Sequence, residues 1–403
     1  MMVWVAVLLL SCSQLASQIF LPVLPQIASQ LALSIGQSQM MITGYFLCLG
    51  ISQLVVGPLR DKYGDRQVFI IGQSLFVLGC VLCAMANNVA WFALGRVLQG
   101  LGAAAPLLIS RTLLGVVYQG KYLQSAINSL AMAASGIAIL SPYLGGALGQ
   151  WSSWQAVAWS LAGYVFLVAL IGLKLLPRSK LYQAPISLHP RQLLERYSLL
   201  LFAPQFIAVA LFKWGPTFIY LTIQLYYPFV LQSQFAMTQS DFGQFMMLPM
   251  VGLLVGAMLT KYFQSRCGVG KTLALFWPLL LISGSCFLIL PFTLVTALFG
   301  YALVMIVFGG YFSLYMRLVS RLFPSQAGTA NALIGAIELL LFTLLAVALN
   351  TYFINVPSDI AWLIWAVAAL LIWAWGTLFI EQEQASVYCQ HLKQTVKIKK
   401  RSR

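Results

Sequence analysis

YLQSAINSLAMAASGIAILSPYLGGALGQWSSWQAVAWSLAGYVFLVALIGL, residues 122–173, runs from Lys121 to Lys174 without a charged side chain. A helix needs about 20 apolar residues to cross the hydrocarbon core of a bilayer. This stretch is therefore long enough to cross twice, with Gly149, Ser152 and Ser153 as the turn between the crossings. Uncharged runs recur at 67–95, 214–240, 242–260, 272–316, 339–358 and 361–380, and no charge precedes Arg60. Overall 61% of the chain is hydrophobic and 8% charged, against about 45–50% and about 25% in soluble domains. An aromatic content of 13% also separates it from disordered chains, which are poor in aromatic residues. The composition excludes a soluble globular enzyme and implies an all-α integral membrane protein.

Dividing the longer runs at their turn-forming residues predicts twelve spans: 3–27, 38–59, 67–87, 90–110, 122–149, 154–176, 206–232, 242–260, 272–292, 293–316, 328–351 and 359–380. Residues 197–211 are also apolar and are expected to form an interfacial helix leading into the seventh span. Leu9, Leu10, Ser11 and Cys12 loosely resemble a lipoprotein cleavage site, but no basic segment precedes them. The apolar character continues past the cysteine, so the segment reads as the first span.

The net charge of +15 is explained by topology rather than by nucleic acid. Lys and Arg collect in alternate loops, which marks the cytoplasmic face. Arg60, Lys62 and Arg66 follow span 2, Arg111 and Lys121 follow span 4, and Lys174, Arg178, Lys180, Arg191 and Arg196 follow span 6. Lys261, Arg266 and Lys271 follow span 8, Arg317 and Arg321 follow span 10, and Lys393 to Arg403 close the chain. The intervening loops carry no Lys or Arg, so both termini are expected in the cytoplasm. The tail 397–403 reads as a topology anchor in contact with anionic headgroups.

Gly57, Lys62 and Tyr63 recur as Gly256, Lys261 and Tyr262, each pair 199 residues apart, at the basic ends of spans 2 and 8. The offset is half the chain, which points to two pseudo-symmetric six-helix bundles. The expected organisation is an N-terminal bundle at 1–176, a cytoplasmic linker at 177–205, a C-terminal bundle at 206–380 and a basic tail at 381–403.

Two charges fall inside spans and are functional candidates by position. Arg96 is about 9 Å into span 4 from its outer end and needs either a wet cavity or a partner. Glu338 is about 15 Å along span 11, near the midplane of a core about 30 Å thick. Burial disfavours a charged carboxylate and a nearby cation restores it, so such a group can bind and release a proton as its surroundings alternate. It can equally stay protonated and bond a neighbouring helix. Helical spacing places Lys213, Tyr220, Gln224 and Tyr227 on one face of span 7, Ser11, Gln14 and Gln18 on one face of span 1, and Asn331 in line with Glu338. These stripes are read as the lining of a central cavity, with interhelical hydrogen bonding as the alternative. An aromatic and amide lining suits a bulky, moderately polar ligand, and Lys213 with Arg96 favours an anionic or polar one. Cys80 and Cys83 read as small apolar packing residues. No metal, disulfide framework or cofactor is expected.

Gly57-Pro58-Leu59-Arg60-Asp61-Lys62-Tyr63-Gly64-Asp65-Arg66 resembles the loop signature of the major facilitator superfamily, Gly, three residues, Asp, two residues, Gly, then basic residues. Arg96, Gln99, Gly100 and Gly102 resemble its span 4 motif, and Pro142, Gly145 and Gly146 resemble the end of its antiporter motif. Phe20, Leu21, Pro22 and Pro25, with Tyr227, Pro228, Phe229 and Val230, are similar to the drug-efflux branch associated with bicyclomycin and chloramphenicol resistance. The resemblance implies the major facilitator fold, a monomer in the inner membrane, alternating access, and a part for Arg96 in proton coupling. It also implies a conformational latch of Gly57, Asp61, Gly64, Arg66 and Arg111, in which Asp61 meets a helix N-terminus or Arg111. The chain departs from the pattern twice. Asp65 follows the second Gly where the family has a basic residue, and Gln18 stands where members of this branch carry an Asp. Proton coupling is then expected to move to Glu338 or to be lost.

The leading expectation is a proton-coupled exporter of drug-like or siderophore-like small molecules, with protons and the bilayer as its other partners and no nucleic acid. An uncoupled facilitator or metabolite exchanger stays open. A membrane enzyme is disfavoured because His189 and His391 both lie outside the spans and no nucleophile, base and metal constellation is visible. A membrane sensor without transport is disfavoured because no soluble domain is appended.

Overall fold

The computed structural model describes residues 2–176, 201–323 and 327–379. Its helices are α1 (Met2–Gln18), α2 (Leu24–Gln30), α3 (Ile35–Tyr63), α4 (Asp65–Ala84), α5 (Val89–Val117), α6 (Gly120–Trp151) and α7 (Trp154–Leu175). They continue with α8 (Pro204–Gln234), α9 (Gln239–Ala274), α10 (Trp277–Ile289), α11 (Leu294–Leu322), α12 (Ala327–Ile337), α13 (Thr343–Tyr352) and α14 (Asp359–Phe379). Among the described residues ten helical segments are long and apolar enough to cross a membrane, and α1 and α10 are shorter apolar helices. Each of the twelve expected spans coincides with one of these segments. The linker at 177–205 falls almost wholly outside the described residues, as does the tail at 381–403.

Three spans are interrupted. In the first, α1 stops at Gln18 and α2 starts at Leu24, because Pro22 has no N–H to continue the ladder and Pro25 sits in the first turn of the new helix. The ninth differs from its expected bounds of 272–292. Helix α9 continues past Thr260 to Ala274, turning at Gly268 with φ 77°, a conformation that glycine adopts without steric cost. In the eleventh, a π-turn at Glu338–Phe342 separates α12 from α13. Of the interfacial helix expected at 197–211, residues 197–200 lie outside the described residues and Leu201 is helical. Residues from Pro204 onward belong to α8 itself, which Pro204 opens as a first-turn proline.

At the ends that carry no Lys or Arg, helices begin on side-chain caps that satisfy their first N–H groups. Ser34 caps α3 with Gln37, and Thr238 caps α9 with Asp241. Asp359 accepts from the backbone of Asn355 at 2.8 Å and of Val356 at 3.0 Å. Asp241 and Asp359 are thereby occupied at helix starts.

One apolar core is built mainly from α1 to α7 and another mainly from α8 to α14. They meet along a seam at the uncharged end. Gln39 donates to the Leu225 carbonyl at 3.0 Å, Gln232 to the Pro22 carbonyl at 2.9 Å, and Gln239 to the Gln26 amide at 3.1 Å. The Ser240 N–H donates to Gln150 at 3.3 Å. Glycine permits the approach: Gly146 lies against the Gln239 carbonyl, and Gly243 against the Pro142 carbonyl. A Cβ on Gly57, Gly115, Gly136 or Gly335 would meet nothing within 4 Å.

A Gln26→Cys, Gln239→Cys pair is therefore expected to be bridged by a short bifunctional thiol reagent, and the bridge to stop transport until it is cleaved. Adding Gly146→Val should lower the cross-linking yield several-fold, read by mass spectrometry of the linked peptides. Equal yields with and without the valine would mean that this seam does not depend on glycine.

Candidate functional site

Glu338 opens the π-turn and faces α8, where the Lys213 ammonium lies 2.8 Å from its Oε1. Both side chains are largely buried, at 9% exposure for Lys213 and 12% for Glu338, and a charge in such a place must be paired. The Lys213 ammonium sits 4.8 Å from the Phe308 ring centre and 4.9 Å from that of Phe312, and it also reaches Thr217 Oγ1 at 3.4 Å. Two aromatic faces from α11 thus supply negative quadrupole to the same cation. Tyr220, two turns along α8, stacks on Phe308 at 5.4 Å and lies within electrostatic reach of Gln224 and Glu338. Asn331 precedes Glu338 by two turns on α12. Of the expected stripes, Lys213 pairs with Glu338, and Tyr220 lies within electrostatic reach of Glu338 and Gln224. Phe308, Phe312 and Tyr315 join them. Their spacing of four and three residues on α11 reads equally as ordinary core, so sequence offered no reason to single them out.

Tyr227 stands apart. It is fully buried, donates to the Ala297 carbonyl at 2.8 Å, and packs against Tyr301. It lies about 21 Å farther along α8 than Lys213 at 1.5 Å per residue, in the packed interior rather than beside the ion pair. On α1, Ser11 bonds Tyr164 of α7, and Gln14 is half-buried. Gln18, 5% exposed, keeps an unpaired Oε1, and Gln224, 2% exposed, an unpaired Nε2. A buried amide atom without a partner is a position for water or a polar ligand group.

Arg96 is 1% exposed and lies inside the first core. Of the two fates expected for it, the partner holds. Its Nη1 donates to the Ala16 carbonyl at 3.1 Å and to Gln99 Oε1 at 2.7 Å, and its Nε to the Met41 carbonyl at 3.3 Å. The guanidinium lies over Tyr45 at 4.6 Å and Phe20 at 5.2 Å. Ala16 is in the last turn of α1, where carbonyls lack intrahelical donors, so the break in the first span supplies the acceptor that Arg96 uses. Gln99 is further held by donating to Cys80 Sγ at 3.4 Å. Gly100 lets α5 approach the Tyr45 carbonyl of α3, Gly102 lets it approach Phe76 of α4, and Gly145 lets α6 approach the Ile19 carbonyl.

The residues of the expected latch are dispersed. Gly64 takes φ 87° and turns α3 into α4. Asp65 pairs with Arg60 at 3.2 Å, and Arg66 donates to the Leu173 carbonyl of α7 at 3.2 Å. The side chain of Asp61 lies outside the described part. Arg111 is exposed and interacts electrostatically with Tyr315 and Glu338 of the other half. A Cβ on Gly57 would meet nothing within 4 Å.

Apolar helices long enough to cross a bilayer, packed around two cores that meet in a seam and hold an interior ion pair, fit a membrane transporter of small molecules. Residues 6–346 match the Major Facilitator Superfamily, and the chain belongs to that family. It is accordingly a multi-pass membrane transporter and not an enzyme. Multidrug resistance protein D of Escherichia coli is 30% identical over 164 residues, which span 41% of this chain and 40% of that protein. The uncharacterised MFS-type transporter YdgK of Bacillus subtilis is 28% identical over 80% of this chain and 81% of its own length. A bicyclomycin resistance protein homolog of Haemophilus influenzae is 24% identical over 79% and 81% respectively. Among solved structures, a bacterial homolog of the human lysosomal transporter Spinster superposes with TM-score 0.67 at 17% identity, covering 94% of this chain and 96% of the other. The nucleoside transporter NupG gives TM-score 0.66 at 14% identity over 93% and 98%. These two likenesses are likenesses of fold.

Removing Arg96 is expected to strand the Ala16 and Met41 carbonyls and the Gln99 amide, at about 1–3 kcal/mol for each buried group left unsatisfied. The melting temperature of Arg96→Met in detergent should fall well below that of Arg96→Lys, because an ammonium keeps the charge but not the planar fork. For the ion pair, Lys213→Met alone should cost about 3–5 kcal/mol by leaving Glu338 buried and unpaired. The double variant Lys213→Met, Glu338→Gln should recover most of that loss in the same melts. A double variant no more stable than the single one would contradict the pairing.

Proposed function

We propose that this transporter exports drug-like or siderophore-like small molecules from the cell in exchange for protons, with Glu338 as the proton carrier and Lys213 as its counter-charge. The observation that carries the reading is the placement of Glu338. Of the eight Asp and Glu residues, it alone lies well inside a span, and it faces the cavity neighbourhood of Tyr220, Gln224 and Asn331. Asp65 is paired at the basic end, and Asp241 and Asp359 cap helices. The names of the relatives, which speak of multidrug and bicyclomycin resistance, support efflux of small molecules.

The basic end is taken as cytoplasmic by the distribution of Lys and Arg, with both termini on that side of the inner membrane and the protein a monomer. The seam of Gln26, Gln39, Gln150, Gln232 and Gln239 is then on the outer side. The aromatic faces of Tyr220, Phe308 and Tyr315 with the amides of Gln18, Gln224 and Asn331 suit a bulky, moderately polar substrate. Arg96 holds the broken first span in shape, and through it the first wall of the cavity. The two bundles, 1–176 and 206–380, rock about the seam.

The test is proton movement in proteoliposomes with an internal pH dye, a panel of drugs and siderophores, and Glu338→Gln beside the unaltered protein. Substrate-triggered proton flux should appear and should vanish in the variant. Substrate movement without proton flux, unchanged by the substitution, would instead establish an uncoupled transporter.

A further inference from the structure

The π-turn at Glu338–Phe342 lies between the ion pair and the seam. On one side it is bound to α8: Glu338 pairs with Lys213, Trp214 Nε1 donates to the Ile334 carbonyl at 2.9 Å, and Phe342 packs on Trp214 and Phe218 at 5.6 and 5.4 Å. On the other side it touches α3 of the first half. A Cβ placed on Gly50 would lie 3.0 Å from Leu339 Cβ and 3.3 Å from Leu340 Cδ2, so the turn sits directly on the α3 backbone. Farther along the same span, at the end of α13, a Cβ on Gly36 would lie 2.9 Å from Thr351 Oγ1. The charged residue and the two residues that meet the other half are consecutive in the chain.

A π-turn carries one residue more than the α-helical turn it replaces, and such turns concentrate at functional sites. The Thr343 hydroxyl donates to the Leu339 carbonyl, which supports the widened turn. Conversion to α-helix would rotate α13 relative to α12 by about 100° and shift it by about 1.5 Å. Leu339 and Leu340 cannot keep their place against Gly50 through a rotation of that size.

We infer that the π-turn transmits the state of the Lys213–Glu338 pair to the seam, and that Gly50 is the positioning residue against which it acts. This rests on the reading of Glu338 as the proton carrier. With the pair formed, the turn is held against Gly50 and the outer seam stays sealed. When a proton neutralises Glu338, Lys213 loses its partner, the turn relaxes, and the contact with α3 loosens. An empty, deprotonated carrier is thereby kept from reopening outward, which an exchanger requires. The groups that set the charge around Glu338 are Lys213 and Tyr220 from α8, Tyr315 from α11 and Arg111 from α5. From α3 the turn meets Gly50.

Spin labels at Ser29 and Ser233, exposed at the uncharged end in opposite halves, report on the seam by pulsed electron resonance. They are placed in the full chain in liposomes, in a background with the native cysteines replaced. The long-distance population should rise several-fold from mildly alkaline to acidic pH. Glu338→Gln should show the raised population at both pH values. Gly50→Val should also show it at both, because the methyls displace the turn whatever the charge of Glu338, and Gly50→Ala should shift it in the same direction by less. A purely structural role for Gly50 would alter the population but leave its pH response intact. The inference is overturned if Gly50→Val and Gly50→Ala keep the full pH response while Glu338→Gln loses it, and the carrier reading then stands. If Glu338→Gln keeps the full response, the carrier reading itself falls. A seam in the unaltered protein that ignores pH overturns the inference outright.

Discussion

In hydrocarbon a charge has to bring its own solvent, and the placement of Glu338, Lys213 and Arg96 obeys that constraint. Glu338 brings a lysine, and the lysine brings two phenylalanine rings. Arg96 brings two backbone carbonyls, a glutamine and two rings. The solutions differ in what they allow. The carbonyls around Arg96 cannot change charge, so its surroundings are fixed and it serves as a strut at the broken first span. The partner of Lys213 can take up a proton, so that pair has two states.

The same constraint explains why the two halves meet through amides and glycines instead of ion pairs. A seam that must open and close repeatedly exposes each of its polar groups to water in one state and to protein in the other. Gln26, Gln150, Gln232 and Gln239 lose little in that exchange, because each replaces one neutral hydrogen bond by another. Buried ion pairs at the same places would hold the seam with a far larger desolvation term in the balance. Gly146 and Gly243 contribute by leaving room for the opposing backbone. Close backbone approach is the usual source of helix association in membranes, where no hydrophobic drive separates protein from lipid.

A structural feature is legible in the sequence only where it constrains residue identity. Uncharged runs give the spans directly, since the bilayer forbids charge along any lipid-facing helix. Gly64 is readable because a positive φ selects glycine. The partners of Arg96 are not readable, because two of them are backbone carbonyls and a carbonyl belongs to every residue. The pairing of Lys213 with Glu338 joins helices far apart in the chain, and each charge alone shows only that it needs a partner. The π-turn leaves no trace at all: Glu-Leu-Leu-Leu-Phe is rich in good helix formers. Tyr227 misled the spacing argument because helical periodicity identifies a face but not how far along that face the cavity extends.

The substitution of an amide for the branch's acid at Gln18 gains sense beside this geometry. The first half then holds Arg96 in its core, where its Ala16, Met41 and Gln99 partners do not titrate, and Arg111 of α5 within electrostatic reach of Glu338. Any proton-dependent change must originate in the second half and reach the first by contact. The structure offers few routes for that: the amides of the outer seam lie well beyond the reach of the ion pair, whereas Leu339 and Leu340 follow Glu338 in the chain and rest on α3. A second acid on the first span would couple that half to protons on its own account and make the contact at Gly50 redundant. Its absence leaves the contact at Gly50, beside the electrostatic reach of Arg111, as a route from Glu338 to the first half.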